Sequence, residues 1–146
     1  MAFANRAGGM GTFALLALVL ATGGCATGAP HLPGETAESL GVAVESLRLS
    51  AAGYMLDLRY RVLDADRARP LFERTARPIL LEEETGAQFA VPTTPKLGQL
   101  RSTRVQNVKP GRAYSMIFAN PGRIVQPGTR MVLAVGDSRV EGLVVE

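Results

Sequence analysis

The stretch YMLDLRYRV, residues 54–62, decides the fold class of this chain. Apolar and mostly polar side chains alternate over nine positions, which is the period-two pattern of a half-buried β-strand. One face is predicted to point into a core and the other towards solvent. The inward face comprises Tyr54, Leu56, Leu58, Tyr60 and Val62, and the outward face comprises Met55, Asp57, Arg59 and Arg61.

Similar patterns lie on both sides of this stretch. Before it, residues 42–44 and 47–49 alternate but change phase between them, which predicts a β-bulge. After it, the runs 79–84 and 87–91 flank Thr85-Gly86, which is typical of a hairpin because glycine accepts the backbone angles of a tight turn.

The second half of the chain continues in the same way. Residues 112–119 alternate again, and residues 131–135 are continuously apolar, which favours a central strand. A last strand, residues 140–145, follows the turn at Gly136-Asp137. Seven or eight short strands separated by turns predict an all-β, antiparallel sandwich or barrel. In the predicted strand at residues 112–119, the side chains expected to face the core are Tyr114, Met116 and Phe118.

The first 24 residues are typical of an export signal. Arg6 supplies a positive start, residues 7–21 are apolar, and small residues follow up to Gly24. The apolar run is too short to be a good membrane span. Two alternatives to a lipoprotein signal stay open: an ordinary cleaved signal with an incidental cysteine, and an uncleaved anchor.

Cys25 is the only cysteine of the chain. The stretch LATGGC, residues 20–25, resembles the cleavage motif of bacterial lipoproteins, although Thr22 stands where leucine is commonest. The resemblance implies that residues 1–24 are a lipoprotein signal peptide and that acylated Cys25 holds the protein in the lipid bilayer. In Gram-negative lipoproteins an Asp directly after the cysteine favours retention in the inner membrane. Because this position is Ala26 here, the resemblance also implies the outer membrane, facing the periplasm.

Residues 25–39 are predicted to be a flexible tether. They are rich in glycine, proline, threonine and alanine and have no hydrophobic period. The remaining residues, 40–146, are sufficient for one domain that folds without metals or disulfides.

The charge distribution argues against nucleic acid as a partner. The formal net charge of the whole chain is +3, and its arginines are scattered among acids. A nucleic-acid-binding module usually shows a dense basic stripe.

Catalytic, cofactor and metal chemistry have little support in the sequence. Zinc needs three or four nitrogen or sulfur ligands, and the only histidine is His31, in the tether. No nucleophile elbow and no phosphate-binding glycine loop is present. We therefore predict no enzyme, no catalytic residue and no cofactor. Methionines for copper remain after signal removal, but their apolar surroundings favour a packing role: Met55, Met116 and Met131.

Asp64 and Asp66 are the weak candidates for a metal site, as Ca²⁺ ligands in a loop after the strand. The alternative favoured by their position is structural. Asp64 would accept backbone hydrogen bonds in a turn, and Asp66 would cap a short helical segment near residues 66–72.

Four arginines offer a candidate contact surface for an anionic partner. Arg59 and Arg61 share the outward face of one predicted strand, and Arg101 and Arg104 lie in one predicted loop. Such side chains meet anionic headgroups or an acidic partner, or they are simply solvated.

Several stretches together resemble small bacterial lipoproteins that carry an immunoglobulin-like β-sandwich. The resemblance implies one such domain over residues 40–146, without an active site. We therefore expect a membrane-anchored, non-enzymatic binding or scaffolding protein of the cell envelope, with another envelope protein as its partner. The alternative is an accessory lipoprotein that binds a small ligand or Ca²⁺. The stretches are residues 54–64, ETG at 84–86 with Val91-Pro92, YSMIFANPG at 114–122, Gly136-Asp137 and VVE at 144–146.

Overall fold

The computed structural model describes residues 37–146, apart from the side chain of Asn107. The signal segment, the lipidation site Cys25, His31 and the tether up to residue 36 lie outside the described residues. Within the described part, regular structure consists of nine β-strands and four short 3₁₀ helices.

The strands are short, between two and nine residues long. They are β1 (Val42–Ser50), β2 (Met55–Val62), β3 (Ile79–Glu82), β4 (Gln88–Ala90), β5 (Thr93–Thr94), β6 (Gly98–Gln99), β7 (Ala113–Ala119), β8 (Arg130–Val135) and β9 (Ser138–Val144). The 3₁₀ helices are Ala51–Gly53, Arg69–Phe72, Val105–Asn107 and Pro121–Arg123.

Two antiparallel sheets form the body of the domain. One has the order β1-β2-β7 and the other the order β4-β3-β8-β9, while β5 and β6 make a separate small hairpin. The predicted all-β, antiparallel, sandwich-like fold is confirmed. The strand count exceeds the predicted seven or eight because the connection between β4 and β7 contains the two-residue strands of the hairpin.

The order of the seven main strands is that of an immunoglobulin-like sandwich. In immunoglobulin lettering, β1, β2 and β7 correspond to strands A, B and E of one sheet. The other sheet, β4-β3-β8-β9, corresponds to strands C′, C, F and G. The constant-type immunoglobulin arrangement differs in one strand, since its fourth strand joins the A-B-E sheet. Here the short β4 follows β3 through a tight hairpin and therefore stays beside it.

The core lies between the two sheets. Leu56, Leu58 and Val62 of β2 are fully buried and Tyr60 is 2% exposed, as the alternation predicts. The expectation for Tyr54 was wrong: its side chain is 54% exposed, because β2 begins at Met55 and Tyr54 belongs to the preceding turn. Each buried side chain of leucine size contributes about 2 kcal/mol to folding. The neighbouring strand β7 adds Met116 and Phe118, and the opposite sheet contributes Leu80, Phe89, Met131 and Leu133.

The predicted bulge in β1 is confirmed and has a clear packing reason. The register against β2 shifts between Val44 and Ser46. Val42 and Leu47 are five residues apart, an odd spacing that would place them on opposite faces of a regular strand. The extra residue of the bulge lets both side chains reach the core, where they are 1% and 2% exposed.

The predicted hairpin and central strand are also confirmed. β3 and β4 pair across the turn at Thr85-Gly86, and β8 lies between β3 and β9. Only one face of β8 is in the core, however. Met131, Leu133 and Val135 are buried there, and on the other face Ala134 is 8% exposed and Val132 is half-buried.

Strand register divides the loops between two ends of the sandwich. At one end β1 begins after residues 37–41, which lie beside the loop 63–78: the carbonyl of Gly41 accepts the backbone N–H of Leu63 at 2.8 Å. We call this the tether end. The opposite end, which we call the far end, carries the turns 51–54 and 83–87 and the loop 120–129.

Candidate functional site

The calcium candidates are engaged by the protein itself. Asp64 Oδ1 accepts the backbone N–H groups of Asp66 at 2.9 Å and Arg67 at 3.2 Å, which confirms the predicted turn role of Asp64. Its Oδ2 lies 3.6 Å from the guanidinium of Arg67. Asp66 Oδ1 pairs with Arg69 at 3.0 Å. The predicted helix cap by Asp66 was wrong, since the 3₁₀ helix follows Ala68 and has no side-chain cap.

The surroundings of Asp64 and Asp66 offer no further set of metal ligands among the described residues. Within residues 37–146, no three histidine, cysteine, aspartate or glutamate side chains are grouped so that they can hold an ion. A bound Ca²⁺ takes six to eight oxygen ligands. Asp64 and Asp66 would have to leave two arginines to supply even part of that set.

Arg59 and Arg61 point outward, as predicted, but neither stands as a free cation. Arg59 pairs with Asp57 of its own strand at 3.1 Å. Arg61 pairs with Glu45 across the sheet and donates to the carbonyl of Gly111 at 2.6 Å. These exposed pairs reduce the positive potential of the face. The face is therefore a weak candidate for an anionic partner.

Arg101 contradicts the sequence-based expectation of a surface loop residue. It is 8% exposed, and its guanidinium donates to the carbonyls of Leu71 at 2.7 Å, Glu73 at 2.6 Å and Ala76 at 3.0 Å. Its Nε donates to Gln99 at 2.8 Å. The side chain thus donates hydrogen bonds to three carbonyls of the loop that joins the two sheets.

The electrostatics of Arg101 follow from its position. Burial lowers its pKa from the ordinary value, and nearby Arg77 acts in the same direction. Tyr60 opposes this shift. Arginine side chains stay protonated in proteins at neutral pH, so Arg101 remains a charged donor. No local pattern marks this arginine as buried, because its acceptors lie in another loop.

Tyr60 sits at the centre of an aromatic cluster beneath that loop. Its ring centroid is 6.2 Å from those of Phe72 and Tyr114, and the latter two meet edge to face at 4.8 Å. The Tyr60 hydroxyl is buried without a hydrogen-bond partner among the described residues. Burial raises the pKa of this phenol well above its ordinary value.

We expect Tyr60→Phe to raise the free energy of unfolding at pH 7 by about 1 kcal/mol, because an unsatisfied buried hydroxyl is removed and the ring is kept. The wild type should also lose stability above about pH 10, since Tyr60 ionises only in the unfolded state. This alkaline loss should be smaller in Tyr60→Phe. Urea unfolding of both proteins at pH 7 and pH 10.5 measures the difference.

The matched control is Tyr54→Phe, which removes a hydroxyl from an exposed ring. Its free energy of unfolding should stay within about 0.5 kcal/mol of wild type. A lower stability of Tyr60→Phe at pH 7 would mean that the hydroxyl makes a favourable bond, and would contradict the prediction.

The far end presents an exposed patch that sequence reasoning missed. Tyr54 and Ile124 are 54% and 62% exposed, and the guanidinium carbon of Arg123 lies 5.7 Å from the centre of the Tyr54 ring. We call these three residues the far-end patch. Tyr and Arg are among the residues that contribute most to protein–protein binding. The sequence marks Asn120-Pro121-Gly122 only as a turn, with no signal for the exposure of Ile124.

A buried asparagine holds the patch in place. Asn120 is fully buried, and its Nδ2 donates to the carbonyls of Gly53 at 2.8 Å and Val125 at 3.1 Å. Its Oδ1 accepts the backbone N–H of Val125 at 3.1 Å. One side chain thereby fixes the turn 51–54 against the loop 120–129.

The backbone at this end is strained as well as fixed. Ala51, Ala52 and Arg123 have φ of 49°, 55° and 54°, the left-handed region that favours glycine. Each such residue costs about 1 kcal/mol or more. Backbone strain of this kind is concentrated at binding and catalytic sites, where a fixed loop shape lowers the entropy lost on binding. The arrangement can bind a partner surface.

Comparisons with known proteins are negative: no family model, no curated protein and no solved structure matches the chain. In the described part of the chain, no helix is long and apolar enough to cross a membrane.

Proposed function

We propose that this protein is a lipoprotein of the bacterial cell envelope, anchored through acylated Cys25. The support is the export pattern of residues 1–24, the small residues before a single cysteine and the tether that follows. Ala26 supports the outer membrane, facing the periplasm, as its location.

We further propose that the sandwich is a non-enzymatic binding module whose partner is another envelope protein. The observation that carries this proposal is the far-end patch. Tyr54, Arg123 and Ile124 combine two exposed apolar side chains with a cation, on loops that Asn120 ties together. Rigid aromatic and arginine anchors lower the entropic cost of association.

The position of the patch fits an anchored protein. The chain from the tether reaches β1 at one end of the sandwich, and the patch lies at the opposite end. The patch therefore lies at the end of the domain opposite to the one that the tether enters. The calcium alternative has no comparable support, since Arg67 and Arg69 engage its two carboxylates.

Photo-crosslinking in cells tests the binding proposal. A photoreactive phenylalanine analogue at Tyr54 or Ile124 should capture one and the same envelope protein, identified by mass spectrometry. The matched control carries the analogue at Leu63, which is 51% exposed at the tether end. Leu63 should give no such product.

Two results would contradict the far-end patch as the binding surface. One is an identical set of products from Leu63 and from the patch positions. The other is the absence of any product from Tyr54 and Ile124 in a protein shown to be folded and anchored.

A further inference from the structure

A groove at the tether end has the character of an anion site. It lies between the loop of residues 73–77 and the loop of residues 103–106, and its volume is about 390 Å³. Arg74 and Thr75 line one wall, and Thr103 and Arg104 line the other. Two arginines and two threonines thus line one space of the size that small-molecule groups occupy.

The arginines of this groove differ from the other arginines of the tether end. Arg67 and Arg69 are paired with aspartates, whereas Arg74 and Arg104 have no carboxylate within ion-pair distance among residues 37–146. Both are exposed. Their positive charge is therefore available to a ligand. Glu73 is the one acidic residue of the lining.

Two further arginines fix one wall of the groove and add to its potential. Arg77 Nη1 donates to the carbonyl of Arg74 at 3.1 Å. Arg101 Nη2 donates to the carbonyls of Glu73 at 2.6 Å and Ala76 at 3.0 Å. These hydrogen bonds fix the backbone of this wall before any ligand binds, which lowers the entropic cost of binding.

The chemistry of the lining selects the ligand class. The planar guanidinium fork matches the oxygens of a phosphate, and threonine hydroxyls donate to the same kind of acceptor.

The position of the groove in the chain indicates which molecule would supply the phosphate. Ala37 follows Cys25 by twelve positions, so the tether spans about 40 Å at most. From Cys25 in the bilayer, the tether end stays within reach of the headgroups.

We propose that this groove binds the phosphate of anionic phospholipid headgroups and so orients the anchored domain, with its far end away from the bilayer. This inference rests on the proposed lipid anchor. The groove would orient the domain at the membrane surface, whereas the acyl chains would supply the attachment.

Vesicle co-sedimentation of the mature chain, residues 25–146 carrying Cys25→Ser, isolates the groove from the anchor. Binding should depend on phosphatidylglycerol in phosphatidylcholine vesicles and be absent with phosphatidylcholine alone. Arg74→Gln with Arg104→Gln should weaken it about thirty-fold, since each arginine near an anionic surface contributes about five- to sixfold. Thr75→Val with Thr103→Val should weaken it several-fold without a change in charge.

The matched control is Arg48→Gln with Arg130→Gln, which removes the same charge at the far end. It should change binding by less than about twofold. An equal loss in both double variants would reduce the effect to net charge and overturn the proposal. So would binding without phosphatidylglycerol, or equal saturation of the groove by inorganic phosphate at millimolar concentration, which would assign a soluble ligand instead.

The anchor is tested separately, so the two proposals fail in different ways. In cells, Arg74→Gln with Arg104→Gln should leave the acylated protein in the membrane fraction and lower only the protection of the tether end from a soluble protease. Loss of membrane attachment in this variant would contradict the assignment of attachment to Cys25.

Discussion

Cys25→Ala should abolish acylation and with it the lipid anchor, which is the largest effect we expect from any single substitution. Each buried CH₂ of an acyl chain contributes about 0.8 kcal/mol, so two or three chains give an attachment that the domain surface does not replace. Cell fractionation should find wild type in the membrane pellet. Cys25→Ala should remain an unprocessed precursor or a soluble protein, and it should lack the diacylglyceryl mass on its N-terminal peptide.

Ala26→Asp is the control that separates anchoring from sorting. It keeps the cysteine and should remain acylated, but by resemblance to Gram-negative lipoproteins it should move from the outer to the inner membrane. An unmodified cysteine in the wild-type mass spectrum would refute the lipoprotein assignment. An unmodified, uncleaved N-terminus in the membrane would support an uncleaved anchor instead.

Arg101→Ala is expected to lower the free energy of unfolding by about 3–4 kcal/mol. The substitution removes a charged donor from three carbonyls, those of Leu71, Glu73 and Ala76, at 2.6–3.0 Å. Hydrogen bonds from charged groups contribute about 1.5–3 kcal/mol each, and the buried carbonyl of Leu71, which loses this donor, adds a desolvation cost. Urea unfolding followed by fluorescence or circular dichroism gives the difference.

Arg104→Ala provides the matched control for that measurement. Arg104 lies three positions away, is exposed and has no ion pair among the described residues, so its loss should change stability by less than about 0.5 kcal/mol. Arg101→Lys should fall between the two, because lysine keeps the charge without the planar fork. Equal stability of Arg101→Ala and Arg104→Ala would show that the buried network contributes nothing.

The fold was largely predictable because its signals are local. The alternation over residues 54–62 and the change of phase between residues 44 and 47 follow from the pleat, which sends successive side chains to opposite faces. Glycine at position 86 marks a hairpin for an equally local reason, a positive φ of 70°. Tyr54 shows the limit of this reasoning, since the pattern alone does not say where a strand begins.

The candidate sites depended on contacts between distant parts of the chain. Arg101 reaches a carbonyl 30 positions away, at Leu71, and Asn120 reaches one 67 positions away, at Gly53. Nothing next to these residues in sequence distinguishes them from solvated loop residues. Their roles appear only when the sheets are paired.

By itself the sequence determined the all-β class, the positions of most strands and the candidate acylation site at Cys25. Only the tertiary structure decided which arginines are buried, paired or open, and which loops share an end of the sandwich. The physical reason is that side-chain alternation is a property of one strand. Burial and ion pairing depend instead on the registers that bring β1, β2 and β7 against the other sheet.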